Sequence, residues 1–245
     1  SYTAPFRVED WDSTRDVPYR VRYRYATGEG QQQTAEYAGV VPKDPVEKET
    51  FVLAAFTGHK CFTNEWYWNA NGIWFPHTEV ADGVAFQKPD MLFFSGDQVY
   101  EGDLTPPDRR NLEKSTLDYL YKWYRWCWAF GELSRSTPCI AIPDDHDVYH
   151  GNVWGAGGRH ADKQDDGGYT MPAEFVNVVQ RTQTSHLPDP WDPTPVDQGI
   201  TVYYTALDYG GVSFAIIEDR KWKSSPTVAV PDCQFVNGWP QNPDC

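Results

Sequence analysis

Two short segments hold the residues best suited to chemistry. In Phe93-Phe94-Ser95-Gly96-Asp97-Gln98-Val99-Tyr100 and in Ile140-Ala141-Ile142-Pro143-Asp144-Asp145-His146-Asp147, an apolar run stops at a cluster of oxygen and nitrogen ligands. Each run reads as a buried strand, and open α/β sheets bind ligands just outside the carboxyl ends of their strands. Two such ends side by side would bring three or four hard donors together, which suits one or two metal ions. Carboxylates crowded around one imidazole repel each other and raise their own pKa values unless cations intervene. The alternatives are a turn-capping Asp97 and a solvated acidic turn at 144–147. His146 could bind metal, act as a general acid or donate to a developing charge. Tyr100 is either an aromatic core residue or a phenolate ligand to ferric iron.

A third apolar run, Phe214-Ala215-Ile216-Ile217, ends at Glu218-Asp219-Arg220. Glu218 or Asp219 could add a metal ligand, and the planar fork of Arg220 could grip a phosphate; a surface Asp–Arg pair is the alternative. Lys221 and Lys223 extend this basic spot in an acidic chain. Gly155-Ala156-Gly157-Gly158-Arg159-His160 is glycine-rich but lacks the phosphate-loop pattern, so it reads as a loop over the site with Arg159 and His160 as substrate contacts. His186, after a predicted helix, reads as structural. A Gly-x-Ser-x-Gly elbow and a Cys-x-x-Cys pair are both missing from the sequence, which leaves a serine-hydrolase nucleophile and a structural zinc site without support.

The elements that must position these residues follow from periodicity. Strands are expected at 50–57, 91–95, 139–142 and 212–217, and helices at 77–87, 111–130 and 172–182. This alternation implies an α/β fold with a largely parallel sheet buried on both faces. Tyr203-Tyr204-Thr205 and the strand from Val212, joined around Gly210-Gly211, are expected to form a hairpin inside that sheet. Tyr19 to Tyr25 alternates aromatic or apolar with basic residues, and Thr34 to Val41 follows as a second strand candidate. Residues 1–46 therefore read as a partial N-terminal β domain, 42–49 as a linker, and 47–245 as the domain that carries the site.

Bulk properties narrow the partners. The 245-residue chain carries a formal net charge of −14 and has a pI near 4.7, which argues against nucleic acid and anionic membrane surfaces. An acidic protein that handles an anionic substrate needs local positive charge, most simply metal ions and a few arginines. No run approaches the roughly 20 apolar residues of a membrane span, and Ser1 opens an acidic, polar segment unlike a signal peptide, as expected of a processed or partial chain. Of the five cysteines, Cys127 and Cys139 are expected to be buried thiols, and Cys233 could pair with Cys245 in an exported protein. Nothing in the sequence indicates an oligomeric state.

Taken together, Gly96-Asp97-Gln98-Val99-Tyr100, Asp144-Asp145-His146-Asp147 and Glu218-Asp219-Arg220 resemble the blocks of PhoD-like alkaline phosphatases, within the calcineurin-like metallophosphoesterases. Pro89-Asp90 and the β element ahead of residue 47 fit the same resemblance, which runs from about residue 50 onward. It implies a metallophosphoesterase-like β core flanked by helices and preceded by a partial β-sandwich. It also implies metal-dependent hydrolysis of phosphate mono- or diesters in the periplasm or outside the cell. The metals would be calcium and iron, with manganese or zinc as alternatives. By the same resemblance Asp97 would bridge two metals, and Tyr100, Asp145 and Asn152 would be further ligands, to which the third strand end adds Glu218. His146 would assist the leaving group and Arg220 would contact the phosphate. Two departures stand out. Phe56 or Thr57 falls where the family has a metal-binding Cys, leaving His59 or Cys61 as the nearest donors, and the family's later His-bearing blocks would lie beyond Cys245. The competing expectation is a non-catalytic module that uses its many aromatics to hold a carbohydrate or another extracellular polymer.

Overall fold

The computed structural model describes residues 3–61, 75–149, 169–222, 232–236 and 239–241. At its centre β3 (Leu53–Phe56), β4 (Met91–Phe94) and β5 (Cys139–Ala141) form a parallel sheet in the order β3-β4-β5. Side chains alternate across a strand, so β4 serves two cores. Leu92 and Phe94 face a cluster containing Trp126 and Phe130. Met91 and Phe93 face Ile216 and Tyr203 on the opposite side. Phe94 stacks on Phe56 at 4.6 Å between centroids and meets Trp126 edge-on at 4.7 Å.

The first of these cores is covered by helices α1 (Thr78–Phe86) and α2 (Leu112–Ser134). Helix α2 begins where Asn111 accepts a hydrogen bond from the Lys114 backbone N–H, an N-cap worth about 1 kcal/mol. Of its buried residues, Ser115, Tyr119, Lys122, Trp126, Phe130 and Leu133 recur every three or four positions, the spacing of one helical face, and Arg125 is buried beside them. Pro138, three residues past the C-cap Arg135, cannot continue the helix. A third core lies beyond the strand ends, where Tyr119 and Tyr149 pack on Phe175 of α3 (Ala173–Thr184).

The second core is covered by a hairpin of β6 (Tyr203–Tyr209) and β7 (Val212–Glu218), turning at Gly210 and Gly211. The turn lies where the sequence puts it, but the hairpin forms its own two-stranded sheet and is not paired with the parallel one. Period-2 alternation tells which residues face the core, not which strand edge supplies the partner. Between hairpin and sheet lies an apolar cavity of about 250 Å³, lined by side chains such as Leu53, Phe93, Ile140 and Phe214.

Near the N-terminus β1 (Val17–Ala26) and β2 (Gln32–Val41) form an antiparallel pair. The hydroxyls of Tyr19 and Tyr37 donate to the carbonyls of Arg135 and Gly131, docking this pair on the end of α2. The Arg135 guanidinium also lies 4.7 Å over the Tyr37 ring. Phe235–Val236 pairs with Trp239–Pro240 in a second short antiparallel element. Among the described residues, no helix is long and apolar enough to cross a membrane. Cys127 is exposed and Cys139 half-buried, both as free thiols, so the expected pair of fully buried thiols is corrected, although the Cys127 sulfur lies toward Cys139 and burial pushes its thiol up. Cys233 is disulfide-bonded, and Cys245 lies outside the described residues.

Candidate metal centre

The chain leaves β4 through a turn that allows two loops to touch. Gly96 adopts φ 118°, and a Cβ there would lie 2.2 Å from the Asp144 Cβ. Only glycine permits both that dihedral and that approach. Asp97 follows in the left-handed region at φ 57°, an uncommon conformation for a residue with a side chain.

Asp147 ties the two loops together from below. It is fully buried, and its carboxylate accepts from the backbone N–H groups of Asp97 (2.7 Å), Asp144 (2.9 Å) and Val99 (3.0 Å), and from the Gln183 side chain (2.8 Å). Burial pushes its carboxyl up to about 7 against the pull of these bonds. Gln98 completes the clamp. Its amide donates to the Ile142 carbonyl and to Gln183, and its oxygen accepts from the Gly96 N–H.

With the loops so fixed, Asp97, Asp144 and Asp145 each offer a carboxylate oxygen, and these oxygens all lie within 4.8 Å of one another. Burial raises the Asp97 carboxyl, Asp145 adds to the rise, and His146 opposes it. Burial likewise pushes Asp144 up to about 6, with Asp145 and Asp97 adding to the rise and Arg220 opposing it. One Asp97 oxygen, Oδ1, is buried without a hydrogen-bond partner among the described residues. Crowded, partly desolvated carboxylates with an unsatisfied oxygen are what a bound cation relieves. An all-carboxylate set fits a hard cation such as calcium, magnesium, manganese or ferric iron better than a soft one.

Three further side chains border the trio. The Arg220 guanidinium spans two of its members, with Nε 3.1 Å from Asp144 Oδ1 and Nη2 3.1 Å from Asp145 Oδ1. The Tyr100 hydroxyl donates to Asp97 Oδ2 at 3.1 Å, and its ring packs on His146 at 4.4 Å. Burial and the Asp97 charge raise the Tyr100 phenol well above its ordinary value. His146 Nδ1 is 2.7 Å from Glu101 Oε2. Burial lowers the imidazole pKa, but Glu101, Asp97 and Asp145 together leave it above the ordinary histidine value.

Compared with known proteins, the chain matches no family model, no curated protein and no solved structure.

Of the residues singled out in the sequence, the structure gathers Asp97, Tyr100, Asp145, His146 and Arg220 around one point. It sets Glu218 apart from the trio. That carboxylate is buried against Lys221, with Nζ 2.7 Å from Oε2, and burial pushes it up to about 7. Asn152, Arg159, His160 and Lys223 lie outside the described residues. Where the family resemblance places a cysteine, Phe56 is buried in the aromatic core and Thr57 is exposed. His59 packs edge-on against Phe130 at 4.9 Å, and Cys61 Sγ is 3.8 Å from His77 Nε2; neither joins the trio. His186 contacts the Cys139 carbonyl, consistent with a packing role.

Sequence reasoning gave no separate roles to Asp144, Glu101 and Asp147. Asp144 had a usable signal, since it is the first carboxylate after the strand and faces the glycine of the other loop. Glu101 had none, because its link to His146 depends on how the 101–105 loop folds back.

Proposed function

We propose that the chain hydrolyses phosphate esters with metal ions held by Asp97, Asp144 and Asp145, as its resemblance to PhoD-like phosphatases suggests. The observation that carries this reading is the convergence of three carboxylates, one guanidinium and one imidazole at the carboxyl ends of adjacent parallel strands. Cations bound there, calcium and iron or else manganese or zinc, would supply Lewis-acid charge and an activated nucleophile near neutral pH.

The chain's own residues divide the remaining work. Asp97, on the loop after β4, would take the bridging role the resemblance implies, and Tyr100 beside it offers a further oxygen donor. Arg220 presents a planar fork to phosphoryl oxygens, the geometry it already uses on two carboxylates. Glu101 engages His146 Nδ1 and keeps the ring protonated further into the neutral range. That leaves Nε2 to hand a proton to the departing oxygen. Asn152 keeps the ligand role the resemblance implies, as does a periplasmic or secreted location, and Arg159 and His160 keep the substrate contacts expected of their glycine-rich loop. Turnover of a chromogenic phosphate ester by the metal-loaded protein tests the reading: Asp97→Asn should abolish it, and unchanged turnover would sink the assignment. A second reading, a carbohydrate-holding module without catalysis, draws on the exposed Tyr121, Tyr124 and Trp128 of α2. Polymer binding without ester turnover would favour it.

A further inference from the structure

We infer that the buried Glu218–Lys221 pair is a positioning device for Arg220, fixing the guanidinium that the proposed phosphate-ester chemistry uses; this rests on that reading. Glu218 is the last residue of β7 and is 1 % exposed, while Lys221 is 2 % exposed. Their charges meet at 2.7 Å. The Lys221 ammonium also donates to the Gln180 side-chain oxygen on α3, and Gln180 in turn donates to Thr201 Oγ1 at 2.6 Å. The Tyr169 hydroxyl donates to the Lys221 carbonyl. The Trp222 N–H closes the turn on the Asp219 carbonyl at 2.9 Å, and its indole packs on the core shared by α2 and α3.

Arg220, Lys221 and Trp222 form a single turn of 3-10 helix. Within it, Lys221 and Trp222 are anchored inward and Arg220 reaches the carboxylates of Asp144 and Asp145. A buried ion pair is a poor stabiliser, since apolar residues of similar volume are often as good or better. What this pair supplies is direction. The i,i+3 link from Glu218 to Lys221 spans Arg220, so the strand end and α3 together set where the guanidinium starts. An arginine whose backbone turn is fixed in advance has fewer arrangements to lose when its guanidinium engages a ligand.

The test uses Lys221→Met, Glu218→Gln and the double variant Glu218→Leu/Lys221→Met, which keeps the site filled if a single variant fails to fold. The Nε–H resonance of Arg220, assigned by its loss in Arg220→Lys, is followed by ¹⁵N NMR in chelator-treated protein. Expected is a distinct resonance in the wild type that merges with the exposed arginines in the variants. The KM for a chromogenic phosphate ester should rise about tenfold with kcat within about threefold, the pattern of lost ground-state binding, and bound metal should be unchanged. An unchanged Arg220 resonance in folded variants overturns the inference. So does loss of bound metal in Glu218→Gln, which would make Glu218 a ligand. If the wild type turns over no ester, the functional reading fails while the resonance still decides the positioning claim.

Discussion

His146 and His59 follow the two outer strands at the carboxyl end of one sheet and are pushed in opposite directions. His146 follows β5, touches Glu101 and is raised above its ordinary pKa. His59 follows β3 and donates its backbone N–H to the Asp97 carbonyl at 3.0 Å, yet its ring turns into Phe56, Phe94 and Phe130. Burial, and then the neighbouring His77, lower it to about 4. Proximity to the acidic loops is therefore not what makes a histidine basic here. The side chain's own partners decide, and they split the strand ends into a charged half and an apolar wall.

The largest effect is expected where the charged half is held together. Asp147→Ala removes the acceptor of four N–H donors, two of them buried, at Val99 and Gln183. At about 1–3 kcal/mol for each buried unsatisfied group, unfolding in urea should show a loss of about 2–6 kcal/mol. A loss under 1 kcal/mol would mean the clamp is dispensable.

The apolar wall predicts a pH effect of the next size. Folded His59 holds its proton only below about 4, whereas the unfolded chain takes it up near 6.5. The unfolded state thus binds more protons between these values. The contribution of His59 is fully present above pH 6.5 and is lost as pH falls toward 4, by up to roughly 3 kcal/mol. Urea titrations at pH 7.5 and 4.5 should show a smaller acid loss in His59→Phe than in the wild type; equal losses would place the ring in water.

A smaller change should separate the two histidines further. In chelator-treated Glu101→Gln, burial remains and the anionic partner is gone, so the His146 pKa followed by NMR should fall toward that of His59. An unmoved value would shift the credit to Asp97 and Asp145.

The charged half was legible in the sequence because Phe93-Phe94 and Ile140-Ala141-Ile142 each stop at carboxylates, a pattern with few other uses. Asp145 and Asp147 have the same side chain two positions apart, yet one joins the cluster and the other points beneath the loops. Only the turn dihedrals separate them. Glu218 read as a ligand because its partner, Lys221, is brought back by a 3-10 turn that leaves no periodic signal. The β6–β7 pairing was visible, and its separation from the parallel sheet was not, since alternation carries no information about which edge is free.

Elemental analysis of the purified protein tests the central claim most directly. The account predicts at least one tightly bound calcium, iron, manganese or zinc ion per chain in the wild type, lost in Asp97→Asn while the far-ultraviolet circular dichroism is retained. Fewer than one ion per chain in the wild type, or the same content in folded Asp97→Asn, would contradict it.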